Sequence, residues 1–192
     1  MIREIRTALL MLLTLTVLTG IVYPLIVTGL GQALFPRQAS GSVISTGGRA
    51  IGSSLIGQSF TDPRYFWGRP SATSPPYNAA ASAGSNLGPT NPALLDSARA
   101  RIARLQHADP GNSDPIPVDL VTSSASGLDP DISPAAAFYQ AGRIARARGL
   151  DETQVRNLVI QSTEPRQFGL LGEARVNVLR LNLALDALSG AP

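Results

Sequence analysis

The sequence predicts an α+β protein: one N-terminal transmembrane helix followed by a single soluble α+β domain. The helix is read from the absence of any charged side chain between Thr7 and Phe35. The mixed class is read from short glycine-bounded apolar pieces that lie before and after a run of amphipathic helices. No internal repeat is visible. The expected division is residues 1–36, a cytoplasmic stub and membrane helix, and residues 37–192, a soluble extracytoplasmic domain.

About 20 apolar residues cross a bilayer core, so an uncharged run of roughly 29 spans it with tilt. A secretory signal peptide shares the basic start and the apolar run, and Gly31-Gln32-Ala33 could pass for its cleavage site. However, this run is about twice the length of a signal core, and Tyr23-Pro24 interrupts it, which favours a retained anchor. One helix encloses no pathway, so the chain alone is neither channel nor pump. Arg3, Arg6 and the terminal amine outweigh Arg37 and the distant Arg49, which places the N-terminus in the cytoplasm and the soluble domain outside.

Within the anchor, Thr16, Gly20, Pro24 and Thr28 recur at i+4 along one slowly drifting stripe. Small residues on one face let a second helix backbone approach, so the stripe is a candidate partner face in the membrane. The other reading is that Pro24 kinks the helix and threonines satisfy the freed carbonyls.

Past the anchor, Ser42-Val43-Ile44 and Ala50 to Phe60 read as strands or a bulged hairpin between glycines. Thr61 to Pro92 is dense in Pro, Gly, Ser, Asn and Ala, a long loop by composition. It nevertheless holds Tyr65, Phe66, Trp67 and Tyr77, which indicates an ordered loop packed on the domain or on a partner.

Asn91 caps the next helix with Pro92 in its first turn, and Leu94, Leu95, Ala98, Ile102 and Leu105 form its apolar face opposite Arg99, Arg101 and Arg104. Pro117 to Thr122 reads as a strand. Ser133-Pro134 opens a helix that ends at Gly149, and Asp151 with Gln154 opens another whose Val155, Leu158 and Val159 face inward. Arg175 to Leu179 reads as a strand that leads into a short helix through Leu188.

Composition excludes several chemistries. All 16 basic residues are arginine, so there is no P-loop lysine, no Schiff-base lysine and no lysine-containing phosphorylation motif. With no cysteine and one histidine, His107, there is no disulfide framework and little material for a zinc site or a Ser-His-Asp triad. His107 suits the dipole at a helix end, as does the cluster Arg143, Arg146 and Arg148. The remaining basic residues are scattered, so no nucleic-acid partner is expected despite a net charge of +3. Asp129 and Asp131 flank a proline before a helix and read as caps, with too few oxygen ligands nearby for calcium.

Taken in order, the segments Tyr23-Pro24, Gly52-Ser53-Ser54-Leu55-Ile56-Gly57-Gln58, Tyr65-Phe66-Trp67-Gly68-Arg69-Pro70-Ser71-Ala72, Gly84-Ser85-Asn86-Leu87-Gly88, Ser124 to Asp129, and Val176-Asn177-Val178-Leu179 running into Leu181 to Asp186 resemble the C subunit of the Kdp potassium-transporting ATPase, the KdpC family. The resemblance implies a non-catalytic accessory subunit of a bacterial inner-membrane complex that imports K+ using ATP. Its implied partners are a channel-like KdpA-type subunit, a KdpB-type P-type ATPase subunit and a small single-span KdpF-type subunit. The implied role is that of a catalytic chaperone that raises the ATP affinity of the hydrolytic subunit, with ATP shared rather than tightly bound. The family's nucleotide-linked glutamine matches Gln140, in the segment Ala135 to Ala145. Charge bias places Gln140 outside the cell, where ATP is scarce, so an indirect influence through assembly or ion entry fits the sequence better. A lone glutamine on a helix is ordinarily a solvated or capping residue. A membrane-tethered extracytoplasmic binding module with no ATPase partner is the alternative.

Overall fold

The computed structural model describes residues 1–188 of the chain. They fall into two compact units, Met1–Ile51 and a second that begins at Gly52.

The first unit is dominated by one continuous helical rod, Ile2–Leu34, long and apolar enough to cross a membrane. It comprises α1 (Ile2–Val17), a π-helical turn (Leu18–Val22) and α2 (Tyr23–Leu34). The π turn ends just before Pro24, whose ring would crowd the carbonyl of Gly20 in a regular α-helix. Widening that turn lets the helix carry the proline onward instead of breaking. The Thr19 hydroxyl donates to the Leu15 carbonyl at 2.7 Å, so threonine back-bonding accompanies the irregularity. A four-residue helix, α3 (Pro36–Ala39), follows. Then β1 (Val43–Thr46) and β2 (Arg49–Ser53) pair as a hairpin. Gly47 and Gly48 at its tip both have positive φ, 58° and 78°, which the tight hairpin turn requires.

In the second unit, α5 (Pro134–Arg148) is the central helix. Ala136, Ala137, Ala141, Ile144 and Ala145 are buried on it, and its small residues let α6 (Glu152–Ser162) pack close. Ser133 caps α5 by accepting from the Ala136 N–H, and Gly149 ends it in the left-handed conformation, as the sequence indicates. Asp151 caps α6 through the Thr153 N–H. Val155 and Val159 are fully buried and Leu158 packs against the same core.

A three-stranded antiparallel sheet of order β3-β5-β4 lies beside these helices. β5 (Arg175–Asn177) is central, with Ile132 of β3 (Asp131–Ile132) and Thr163 of β4 (Thr163–Glu164) both opposite Val176. β3 and β4 are too short to show in the sequence pattern. The expected strand Arg175 to Leu179 stops at Asn177, because the Asn177 side chain accepts from the Arg180 N–H and starts α7 (Val178–Leu188) there.

Three expectations are overturned. Pro117 to Thr122 is not a strand: Val118–Leu120 is one 3-10 turn, and the Asp119 carboxylate turns to accept from the N–H and hydroxyl of Ser133. Leu55 to Phe60 is not strand either, since the Ser53 hydroxyl captures the Leu55 N–H and Gly57 donates to the Leu128 carbonyl. The third concerns α4 (Pro92–Ala108), capped by Asn91 as expected. Of its supposed apolar face only Leu105 is buried, and Leu95 is 52% exposed. Arg104 instead turns to the loop, with its guanidinium 4.6 Å from the centre of the Trp67 ring.

Candidate functional site

The long loop after β2 contains no helix or strand, yet Phe66 is fully buried and Trp67 is 9% exposed. A buried loop must find partners for its peptide groups. Here side-chain amides supply them. Asn182 on α7 accepts from the Phe66 N–H at 2.9 Å and donates to the Phe66 carbonyl at 3.0 Å. Gln140 on α5 does the same for Trp67, at 2.8 and 3.1 Å. Two amides thus stand in for the strand that the loop lacks.

Guanidiniums complete the clasp. Arg143, one turn beyond Gln140, donates to the carbonyls of Pro63 and Tyr65 and to Oε1 of Gln140. Its charge lies 4.4 Å from the centre of the Trp67 ring, and burial pulls its pKa down to about 10. Arg148 donates to the Arg64 carbonyl, pairs with Asp186 at 2.7 Å and lies over the Tyr65 ring. Tyr65 donates its hydroxyl to the same Asp186. The cluster read as the last turn of a helix is therefore a latch: Arg143 and Arg148 hold the loop, while Arg146 pairs with buried Asp109.

Gln140 differs from its expectation as a solvated or capping side chain. It is 1% exposed, its Nε2 donates to the carbonyls of both Trp67 and Ala136, and its Oε1 accepts from Trp67 and Arg143. As folded, every donor and acceptor of the amide is engaged within the chain. His107 lies exposed in the last turn of α4, as expected. Asp129 and Asp131 do not cap α5. Asp129 accepts from the Asp131 N–H and pairs with Arg69 at 3.0 Å, while Asp131 accepts from Asn177. Among the described residues, no group of three or more His, Cys, Asp or Glu could hold a metal ion.

The model of the family described as "KdpC: K+-transporting ATPase, c chain" matches residues 5–187. A potassium-transporting ATPase KdpC subunit from Methylococcus capsulatus is 65% identical over 189 residues, 98% of this chain and 100% of that relative. Subunits of the same description from Polaromonas naphthalenivorans and Sorangium cellulosum are 66% and 62% identical, over 96% and 97% of this chain and 94% and 98% of theirs. The chain belongs to the KdpC family.

Apart from Tyr23-Pro24 in the apolar helix, segments that carry the resemblance meet at or next to the clasped loop. Ser71, in the aromatic segment, donates to the Gly127 carbonyl at 2.7 Å and accepts from the Tyr77 N–H. Ala83 donates to the Ser126 carbonyl next to Gly84. Gly127 has a positive φ of 68°, and a Cβ there would meet the Ala83 carbonyl at 2.6 Å. Gly57 is excluded from substitution in the same way by Tyr77 and the Asp129 carbonyl. In the last segment, Asn182 holds Phe66 and Asp186 holds Arg148. Sequence reasoning missed Asn182, Arg143 and Arg148 as partners of the loop, because polar residues on helices carry no periodic signal for which backbone they will meet.

The membrane stripe is exposed along its length in the chain alone. A π turn takes more residues per turn than an α turn, so it takes back part of the drift that i+4 spacing accumulates from Thr16 through Gly20 to Pro24. A Cβ at Gly20 meets nothing within 4 Å.

Proposed function

We propose that this chain is a non-catalytic, single-span subunit of a bacterial potassium-importing ATPase of the inner membrane, with its N-terminus in the cytoplasm and its soluble domain outside. It assembles with a channel-like KdpA-type subunit, a KdpB-type ATPase subunit and a small KdpF-type subunit. It acts as an assembly factor that raises the ATP affinity of the hydrolytic subunit, without holding nucleotide tightly itself.

The observation that carries the indirect route is the complete engagement of the Gln140 amide by Trp67, Ala136 and Arg143. Gln140 influences nucleotide affinity by shaping the aromatic loop. Two features of the chain suit contact with partners. One is the exposed anchor with its Thr16, Gly20, Pro24 and Thr28 stripe. The other is the loop tip where Phe168, Leu170 and Leu171 are 93%, 80% and 60% exposed.

The test is to assemble the complex with and without this chain and measure K+-stimulated ATP hydrolysis. Omission should prevent assembly or raise KM for ATP. An assembled complex that lacks the chain and keeps the same KM would overturn the proposal.

A further inference from the structure

A cavity of about 150 Å3 opens beside Trp67, walled in part by Arg69, Arg101, Arg104, Ser71 and Tyr77. No aspartate or glutamate lines it. Arg69 is matched by Asp129 at 3.0 Å, although its Nε is buried without a hydrogen-bond partner. Arg101 and Arg104 are not matched: among the described residues neither forms a salt bridge. They sit one turn apart on α4, where like charges repel. Burial, and secondarily the charge of Arg104, pull the Arg101 pKa below its ordinary value. Tyr77 offers no counter-charge, because its hydroxyl donates to the Arg69 carbonyl at 2.6 Å and burial pushes its ionisation up. The fold therefore holds the half-buried Arg101 guanidinium without a counter-charge, and beside it the exposed Arg104 has only the face of the Trp67 ring, an arrangement that an anion would relieve.

We propose that this cavity binds a phosphate group, held by the guanidiniums of Arg101 and Arg104 with Arg69 at its side. A phosphate group carries about 1.5 to 2 negative charges near neutral pH and several acceptor oxygens, matching two separate guanidiniums better than one carboxylate does. A second cavity of about 310 Å3 shares Pro70, Ser71 and Arg101 as walls and adds Leu87, Leu94 and Val121. That apolar neighbour is where the organic part of a phosphate ester would lie, so the phosphate group has two sources, the free anion and an ester. The inference is independent of how the chain assembles with partners.

Trp67 is the only tryptophan of the chain, so its fluorescence reports on this cavity. The full-length protein in detergent is titrated with inorganic phosphate, and separately with phenyl phosphate, to about 20 mM against sodium chloride at matched ionic strength. The expected result is a saturable change absent in chloride, confirmed by calorimetry. Arg101→Gln and Arg104→Gln should each weaken it at least about tenfold, while Arg99→Gln, at an exposed position on the same helix, leaves it unchanged. Tighter binding of phenyl phosphate assigns the site to an ester, and equal binding assigns it to the free anion. No saturation in the unmodified protein, an equal response to chloride, or full binding by a folded Arg101→Gln variant would overturn the proposal.

Discussion

Gln140 holds both main-chain groups of Trp67 with its single side-chain amide, accepting at 2.8 Å and donating at 3.1 Å across 73 positions of sequence. Removing that amide strands two buried peptide groups and deprives Arg143 of a partner. Gln140→Ala should therefore destabilise the soluble domain by about 2–4 kcal/mol, seen as a lower Tm with a changed Trp67 emission. In the complex, KM for ATP should rise only as intact assembly falls. Clear calorimetric binding of ATP by the full-length chain, abolished by Gln140→Ala, would show direct contact instead.

Trp67→Ala tests the loop itself. Trp67 is 9% exposed, two guanidiniums lie over its ring, and its Nε1 donates to the Asp62 carbonyl at 2.9 Å. Truncation of a large buried aromatic costs about 3–5 kcal/mol, so both thermal stability and complex yield should drop. An unfolding curve and a complex yield that both match the parent protein would mean the loop is held without its ring.

How much of this could be read in the chain depended on what each element was made of. The anchor, the caps at Asn91, Ser133 and Asp151, and the stop at Gly149 rest on local chemistry and were legible residue by residue. The short strands β3 and β4 were not, because two residues cannot display a period. Pro117 to Thr122 misled because its β-branched residues suit a strand, while Asp119 instead bonds Ser133. The presence of aromatics in a Pro- and Gly-rich loop correctly signalled order. The identity of their partners did not show, since Gln140, Arg143 and Asn182 are brought to the loop only by the packing of α5 and α7.

Gly20→Leu separates partner contact from intrinsic folding. Beyond the helix's own neighbouring backbone, no described residue lies within 4 Å of a Cβ at that position, so the helix accommodates the larger residue by itself. If another helix packs on the stripe, Gly20→Leu should reduce recovery of the other subunits on co-purification while leaving insertion of the chain intact. Unchanged recovery would remove the stripe from the partner face.

Phe168 combines two unfavourable features, 93% exposure and a left-handed φ of 53°. A bulky residue in that conformation is strained, and glycine there is not. Phe168→Gly should leave the isolated chain as stable or more so, yet weaken the assembled complex if the ring docks in a partner. A thermal melt of the chain and a pull-down of the complex measure the two effects separately, and equal complex yield would exclude a docking role for the ring.

Orientation can be tested by the cysteine-free sequence itself. Ser40 is exposed a few residues beyond the anchor, so Ser40→Cys places a unique thiol at that end of the helix. Arg3 and Arg6 on the other side predict that this thiol faces outward. In intact cells with the outer membrane permeabilised, a membrane-impermeant maleimide should label Ser40→Cys fully. A second variant, Glu4→Cys, should be labelled only after the inner membrane is lysed. The reverse pattern would put Gln140 on the same side as cytoplasmic ATP and remove the compartment argument for an indirect role.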